Sequence, residues 1–306
     1  MLQIPENKVP IIEIPLKKSV KLFMKREDLI HLEISGNKYW KLFHNVNNYL
    51  TENIQNPLLI SFGGAYSNHI AALSALGKIN NINTLGIIRG NELEYTWRDN
   101  PTLKFAFENG MQFRFVTREE YRDKEFLSEQ LQNEFSNALI IPEGGSNPLA
   151  IEGVKNMLNS DTQEFDYLCS AVGTGGTVAG ISKFAESDQK VIGFKVVNDD
   201  SLQSKISELS GKDNFELIDA YDGGYGKISD NNIRFINKFS IEYGVQLEPV
   251  YTGKMMMKLL ELIEEGYFPE NSKILAFHTG GLQGIEGANQ MLKKQNRNLI
   301  DKTNEL

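Results

Sequence analysis

Cysteine is almost absent. Cys169 is the only one among 306 residues, so no disulfide can form within the chain. The four histidines, His31, His44, His69 and His278, share no short-range metal-ligand spacing with one another or with Cys169, and no metal is expected. A basic surplus is missing too. Lys and Arg number 32 against 40 Asp and Glu, a formal net charge of -8, which argues against nucleic acid or an anionic membrane surface as partner. No apolar run approaches a membrane span, and the opening MLQIPENKVP lacks the basic-then-apolar order of a signal peptide. With 41% hydrophobic and 24% charged residues, the chain is expected to be a soluble, cytoplasmic protein acting on a small molecule. Its length allows one large or two medium domains.

What is present is an alternation. Residues 9–12 and 20–24 read as extended, and 38–50 carry helical spacing through Trp40, Phe43, Val46 and Leu50. Residues 58–62 then form an apolar strand, Gly63-Gly64 a breaker, and 68–77 a helix. The unit recurs: strand 84–89, helix from Pro101 to about residue 109, strand 111–117, a charged helix over 118–135, strand 138–142, and a turn at 143–148 into another helix. After strand 167–172, Gly173-Thr174-Gly175-Gly176-Thr177 opens a further helix. Strands at 190–197, 215–221 and 273–277 and helices at 230–243 and 252–266 follow, and the polar segment 292–306 is expected to fray. Such alternation predicts parallel sheets covered by helices, with ligands bound at the glycine-rich turns beyond the carboxyl ends of the strands.

Two of those turns suit anions. Ser67 and Asn68 stand at a helix N-terminus, whose free N–H groups and dipole favour a carboxylate, although both residues are also ordinary helix caps. The 173–177 loop offers glycine N–H groups and two threonine hydroxyls to a phosphate. It does not fit the dinucleotide fingerprint cleanly, and no Lys follows as a nucleotide P-loop requires. Upstream lies Ser35-Gly36-Asn37-Lys38-Tyr39-Trp40-Lys41, a small turn followed by an aromatic run. A lysine desolvated against such a surface becomes a usable nucleophile. Taken alone, the stretch is explained more simply by a surface lysine opening an amphipathic helix.

The ordered set of stretches resembles the 1-aminocyclopropane-1-carboxylate (ACC) deaminase / D-cysteine desulfhydrase family, enzymes that use pyridoxal 5'-phosphate (PLP) on the tryptophan-synthase-β-like fold, fold type II. The resemblance runs from about residue 11 to 290. It implies an α/β architecture of two open, twisted, mostly parallel sheets flanked by helices. A large cofactor-binding domain would comprise residues 1–44 and 153–306, with a small α/β domain, 45–152, inserted in it. A homodimer and a small amino-acid substrate are implied as well. Residue by residue, the resemblance makes Lys38 the Schiff-base lysine and Asn68 the partner of the cofactor's phenolic oxygen. Tyr66, Ser67, Asn68 and His69 fall on the substrate side. Gly173, Thr174, Gly175, Gly176 and Thr177 become the phosphate cradle, Tyr225 an active-site tyrosine, and Tyr251 the residue that packs on the pyridine ring. Deaminase-like members tend to carry Glu after that tyrosine and Leu after the later His; desulfhydrase-like members carry Ser or Thr at both. Here the residues are Thr252 and Thr279, and either can meet the pyridine nitrogen.

A neutral hydroxyl there leaves a weaker electron sink than a carboxylate, adequate for expelling a thiolate. The expectation is α,β-elimination from D-cysteine to pyruvate, ammonia and sulfide. ACC deamination or a lyase acting on another β-substituted amino acid such as D-serine is the nearest alternative. A non-catalytic PLP-binding protein is more distant, and a nicotinamide-dependent oxidoreductase fits least. Ser35 in place of Gly, Tyr66 in place of Gln and Ile70 after His69 depart from the family pattern.

Overall fold

The computed structural model describes residues 1–52, 54–224 and 226–302. Chain order begins with a hairpin-like pair, β1 (Ile11–Ile14) and β2 (Lys21–Lys25), which run antiparallel with Ile11 opposite Lys25 and Ile14 opposite Leu22. Helix α1 (Asn37–Thr51) follows. The next stretch builds a sheet of its own: β3 (Leu58–Gly63), α2 (Asn68–Asn80), β4 (Asn83–Arg89), α3 (Pro101–Glu108), β5 (Gln112–Val116), α4 (Lys124–Glu134) and β6 (Leu139–Ile141). Its four strands are all parallel, in the order β5-β4-β3-β6.

Helix α5 (Pro148–Val154) leads back to the first sheet through β7 (Tyr167–Val172), α6 (Gly176–Phe184), β8 (Lys190–Lys195), α7 (Leu202–Ser210) and β9 (Phe215–Asp219). Then come α8 (Asp230–Tyr243), α9 (Thr252–Glu264), β10 (Lys273–Phe277) and α10 (Gly284–Lys294). Six strands result, in the order β1-β2-β10-β7-β8-β9, parallel except at β1. Every residue of β7 is buried, which is why it reads as an unbroken apolar run rather than an alternating one.

Helix α1 joins the two sheets. Its Trp40, Leu42 and Val46 are buried in one core with Leu59 and Ile70 from the four-stranded side and Leu168, Val172 and Leu275 from the six-stranded side. Gly153 of α5 lies against the Trp40 carbonyl, so the α1 and α5 backbones touch where any side chain would keep them apart. Burying a side chain of this size contributes about 1.5–3 kcal/mol each. That is enough to hold α1 in place although it carries two amines, Lys38 and Lys41, into the seam.

Three expectations differ from the structure. Residues 118–135 are not one helix: the Glu120 carboxylate accepts from Thr117 N and Oγ1, both at 2.7 Å, and α4 starts afresh with Asp123 as its cap, accepting from Phe126 N at 3.0 Å. Helices α7 and α10 are not foreseen by apolar spacing; the first is short and polar and the second begins on a glycine. The tail does not fray at residue 292. Leu292 and Ile300 are buried, Asn289 exchanges bonds of 2.8 and 2.9 Å with Ile300, and Arg297 donates to the Ile228 carbonyl and Asp230, both at 2.7 Å. Among the described residues no helix is long and apolar enough to cross a membrane, and no group of His, Cys, Asp and Glu can hold a metal ion.

Candidate active site

A cavity of about 1040 Å³ opens beyond the carboxyl ends of both sheets. It is walled by the turns after β3, β6, β7, β8 and β10 together with the first turn of α1. This is where parallel sheets bind ligands. Lys38, Tyr66, Ser67, Asn68, His69, the whole 173–177 loop, Tyr251 and Thr279 all line it. Tyr225 lies outside the described residues, although its neighbour Gly226 is on the wall.

Lys38 is reached through Gly36, the residue before α1, whose backbone sits at φ 67°, ψ −150° against Thr279 and Gly280. The Lys38 ammonium donates to Asn37 Oδ1 at 2.7 Å, and Asn37 Nδ2 donates to Thr177 Oγ1 at 2.6 Å, tying the amine to the start of α6. Lys38 is partly buried on the cavity wall, and desolvation lowers its pKa to about 8, with the Glu248 carboxylate opposing part of the shift. About a tenth of it is therefore free base at pH 7, against well under a thousandth of an ordinary surface lysine.

The 173–177 loop is shaped to receive something small. Gly175 has φ 85°, and α6 begins directly after it. A side chain on Gly176 would meet Ser146 Oγ at 2.5 Å and Lys41 Nζ at 3.0 Å; one on Gly173 would meet the Tyr251 ring at 3.0 Å. Lys41 Nζ donates to Ser146 Oγ at 2.9 Å, and Ser146 and Thr174 share a 2.7 Å bond. Lys41 is only 2% exposed and has no carboxylate partner among the described residues. Burial, followed by the nearby Lys38 charge, pushes its pKa well down. A buried amine beside open helix N–H groups, short of a counter-charge, fits a phosphate group. With Lys38 for an aldehyde and the Tyr251 ring for an aromatic face, the residues present fit PLP.

On the opposite wall, Ser67 caps α2, its Oγ accepting from Ile70 N at 3.3 Å, so the ordinary capping role is filled. Asn68 Oδ1 accepts from Gln283 at 2.7 Å, and its amide lies against Gly281. His69 has a defined tautomer. Ser61 Oγ donates its one proton to the Ile141 carbonyl at 2.7 Å and so must accept from His69 Nε2 at 2.8 Å. Tyr66 is half exposed, its ring laid on Gly287 of α10 and bridging the two halves of the wall.

The two threonines separate. Thr279 lines the cavity, whereas Thr252 does not: it is fully buried, and its hydroxyl faces Glu248, accepting from Glu248 N at 3.1 Å. Thr252, expected beside the cofactor, is set back from the cavity wall, because the first turn of α9 turns its hydroxyl to Glu248. Glu248 was not marked by sequence reasoning. It is a buried carboxylate on the cavity wall, capping α9 by accepting from Val250, Tyr251 and Thr252 N–H groups at 2.8, 2.6 and 2.5 Å. Burial raises its pKa and those bonds oppose the rise. An acid four residues ahead of a helix start was the available signal. Lys41 was likewise missed.

Two supporting residues lead to predictions. Buried Lys254 clamps the 221–224 turn, donating to the Tyr221 and Gly224 carbonyls at 2.7 and 2.8 Å. Lys254→Met strands both carbonyls and is expected to cost roughly 2–4 kcal/mol of stability in denaturant melts, with faster hydrogen exchange in 221–227. His278 holds the 278–281 turn: Nε2–H donates to the Gln246 carbonyl at 2.7 Å, and Nδ1 accepts from Gly280 N at 3.2 Å. Burial lowers the pKa of both His278 and His69 from 6.5, so both are neutral in the fold. Below pH 6.5 the unfolded chain binds more protons than the native one. Stability is full above that pH and falls as pH drops from about 6.5 through the lowered native values. His278→Gln should flatten that slope in melts between pH 7 and 5.

The chain belongs to the pyridoxal-phosphate dependent enzyme family, whose model matches residues 3–280. Within it, this is a PLP-dependent enzyme of the ACC deaminase / D-cysteine desulfhydrase group. It is 30% identical over 300 residues to the mitochondrial bifunctional D-cysteine desulfhydrase/1-aminocyclopropane-1-carboxylate deaminase of Arabidopsis thaliana, covering 88% of this chain and 74% of that one. The crystal structure of an ACC deaminase homologue superposes with a TM-score of 0.79 at 27% identity over 95% of each chain. O-ureido-L-serine synthase, at 13% identity over 90% of each chain and a TM-score of 0.68, shares the fold.

Proposed function

We propose that this enzyme carries out α,β-elimination on a small amino acid, with D-cysteine the favoured substrate and pyruvate, ammonia and hydrogen sulfide the products. Lys38 would hold the cofactor through its aldehyde and, as a free amine, would take the Cα proton; a pKa of about 8 suits it to both roles. When bound, PLP supplies the sink for the electron pair left at Cα. Lys41, Ser146, Thr174 and the N–H groups opening α6 hold the phosphate. The start of α2 at Ser67 and Asn68 orients the substrate carboxylate, and the Tyr251 ring supports the pyridine face. In the same reading, residues 45–152 act as a body that closes on the remainder and sheds water from the site.

The observation that carries the choice of elimination is that both positions at which the two branches differ bear hydroxyls, Thr279 on the cavity wall and Thr252 buried against Glu248, and neither bears the carboxylate that would strengthen the sink. Glu248, the nearby acid, has its oxygens turned to the α9 backbone. The second reading is ACC deamination, because the Arabidopsis relative is named for both activities. Purified enzyme should release sulfide and pyruvate from D-cysteine faster than it deaminates ACC or D-serine. A protein that binds PLP through Lys38 yet liberates no sulfide would sink the D-cysteine reading.

A further inference from the structure

The outer end of the cavity holds a charge cluster that the elimination reading does not use. Arg89 ends β4, and Lys124 and Glu143 line the same wall as Ser67 and Asn68. Tyr121, buried beneath them, presents its ring to both cations: Arg89 Cζ lies 5.5 Å and Lys124 Nζ 4.8 Å from the ring centroid. The single acid is already committed. Glu143 Oε1 accepts from Tyr121 Oη at 2.8 Å, and its Oε2 lies 3.2 Å from Lys124 Nζ. Arg89 is exposed at the strand end and makes no ion pair or side-chain hydrogen bond among the described residues, so two cations and one carboxylate leave the cluster net positive. Its Nη2 rests beside Gly64, at the start of the short loop that delivers Ser67 to the site. Across the cavity Asp199 is paired with Lys205 at 3.1 Å, and Glu208 makes no ion pair with Arg89.

We propose that Arg89 is a second anion subsite, which admits β-substituted amino acids whose substituent ends in a negatively charged group such as a phosphate. This rests on the elimination reading and extends its substrate class. The substrate's own carboxylate is held at the start of α2, and the tail anion takes the free guanidinium as a planar, two-pronged partner. With an O-phosphoryl substituent, Lys38 takes the Cα proton and the Cβ–O bond breaks with its electron pair leaving on phosphate. Water then converts the remaining three-carbon fragment to pyruvate and ammonia. One water is consumed, and nothing is oxidised or reduced.

The test compares serine with O-phosphoserine, both enantiomers of each, by pyruvate and phosphate release and by titrating the absorbance of the PLP-loaded enzyme. The expected result is a higher kcat/KM for one O-phosphoserine enantiomer than for the matching serine. Arg89→Met should lower the ratio of the two kcat/KM values by about 10- to 100-fold, and Arg89→Lys should restore part of it. Equal losses on both substrates, or an unchanged ratio in Arg89→Met, overturn the subsite. Should no amino acid be turned over, the elimination reading fails, and the absorbance titration still decides: O-phosphoserine binding must weaken selectively in Arg89→Met, or the subsite fails too.

Discussion

Lys38→Ala is expected to abolish covalent attachment of PLP and to lower turnover of any amino acid by about a thousandfold or more, the scale of losing both a nucleophile and a general base. The absorbance of the bound cofactor should change accordingly. The variant should fold as well as the parent, because the substitution removes a desolvated amine rather than a core group. The parent apoprotein offers a companion measurement. Only the free amine attacks an aldehyde, so the rate of PLP attachment should climb with pH and level off above about 8, where Lys38 is deprotonated. An unperturbed lysine would continue climbing toward about 10.4. Lys41 cannot substitute, since it is turned to Ser146 and the α6 N-terminus.

Gly36→Ala is expected to be the most damaging single-methyl change near the site. At φ 67° and ψ −150° the backbone occupies a region essentially reserved for glycine, and a Cβ there would overlap the Thr279 carbonyl and the Gly280 nitrogen. Backbone strain and overlap together should cost roughly 2–5 kcal/mol in denaturant melts. The same displacement separates Lys38 from the 278–281 turn, so PLP content should fall as well. Gly266→Ala is the control. It has φ 75° with nothing near its missing side chain, so only the backbone strain applies and PLP content should be retained.

The alternation of strands and helices was legible because the central strands are apolar runs, two of them closed by glycine, β3 before Gly64 and β7 before Gly173. Those same glycines place the turns at the carboxyl ends, so most of the cavity wall followed from order along the chain. Charges in the interior were less visible. Lys41 reads as one more lysine on an amphipathic helix; what buries it are Ser146 and Gly176, more than a hundred residues away. Glu248 carries no mark of burial in the sequence; the fold of α9 closes its N–H groups onto it. Thr252 shows the opposite failure. Adjacency to Tyr251 promised a place in the cavity, and one turn of helix aimed its hydroxyl at Glu248 instead. Arg89 gave no signal, because its place beside the cavity and the commitment of Glu143 to Lys124 and Tyr121 both come from the fold.

In the proposed reading the amine that bonds PLP is the one opening α1. Borohydride reduction of the holoenzyme, followed by mass mapping of its peptides, tests this without depending on any substrate. A single stable pyridoxyl adduct on Lys38 is expected; an adduct on Lys41, Lys254 or another lysine, with Lys38 unmodified, would contradict that assignment.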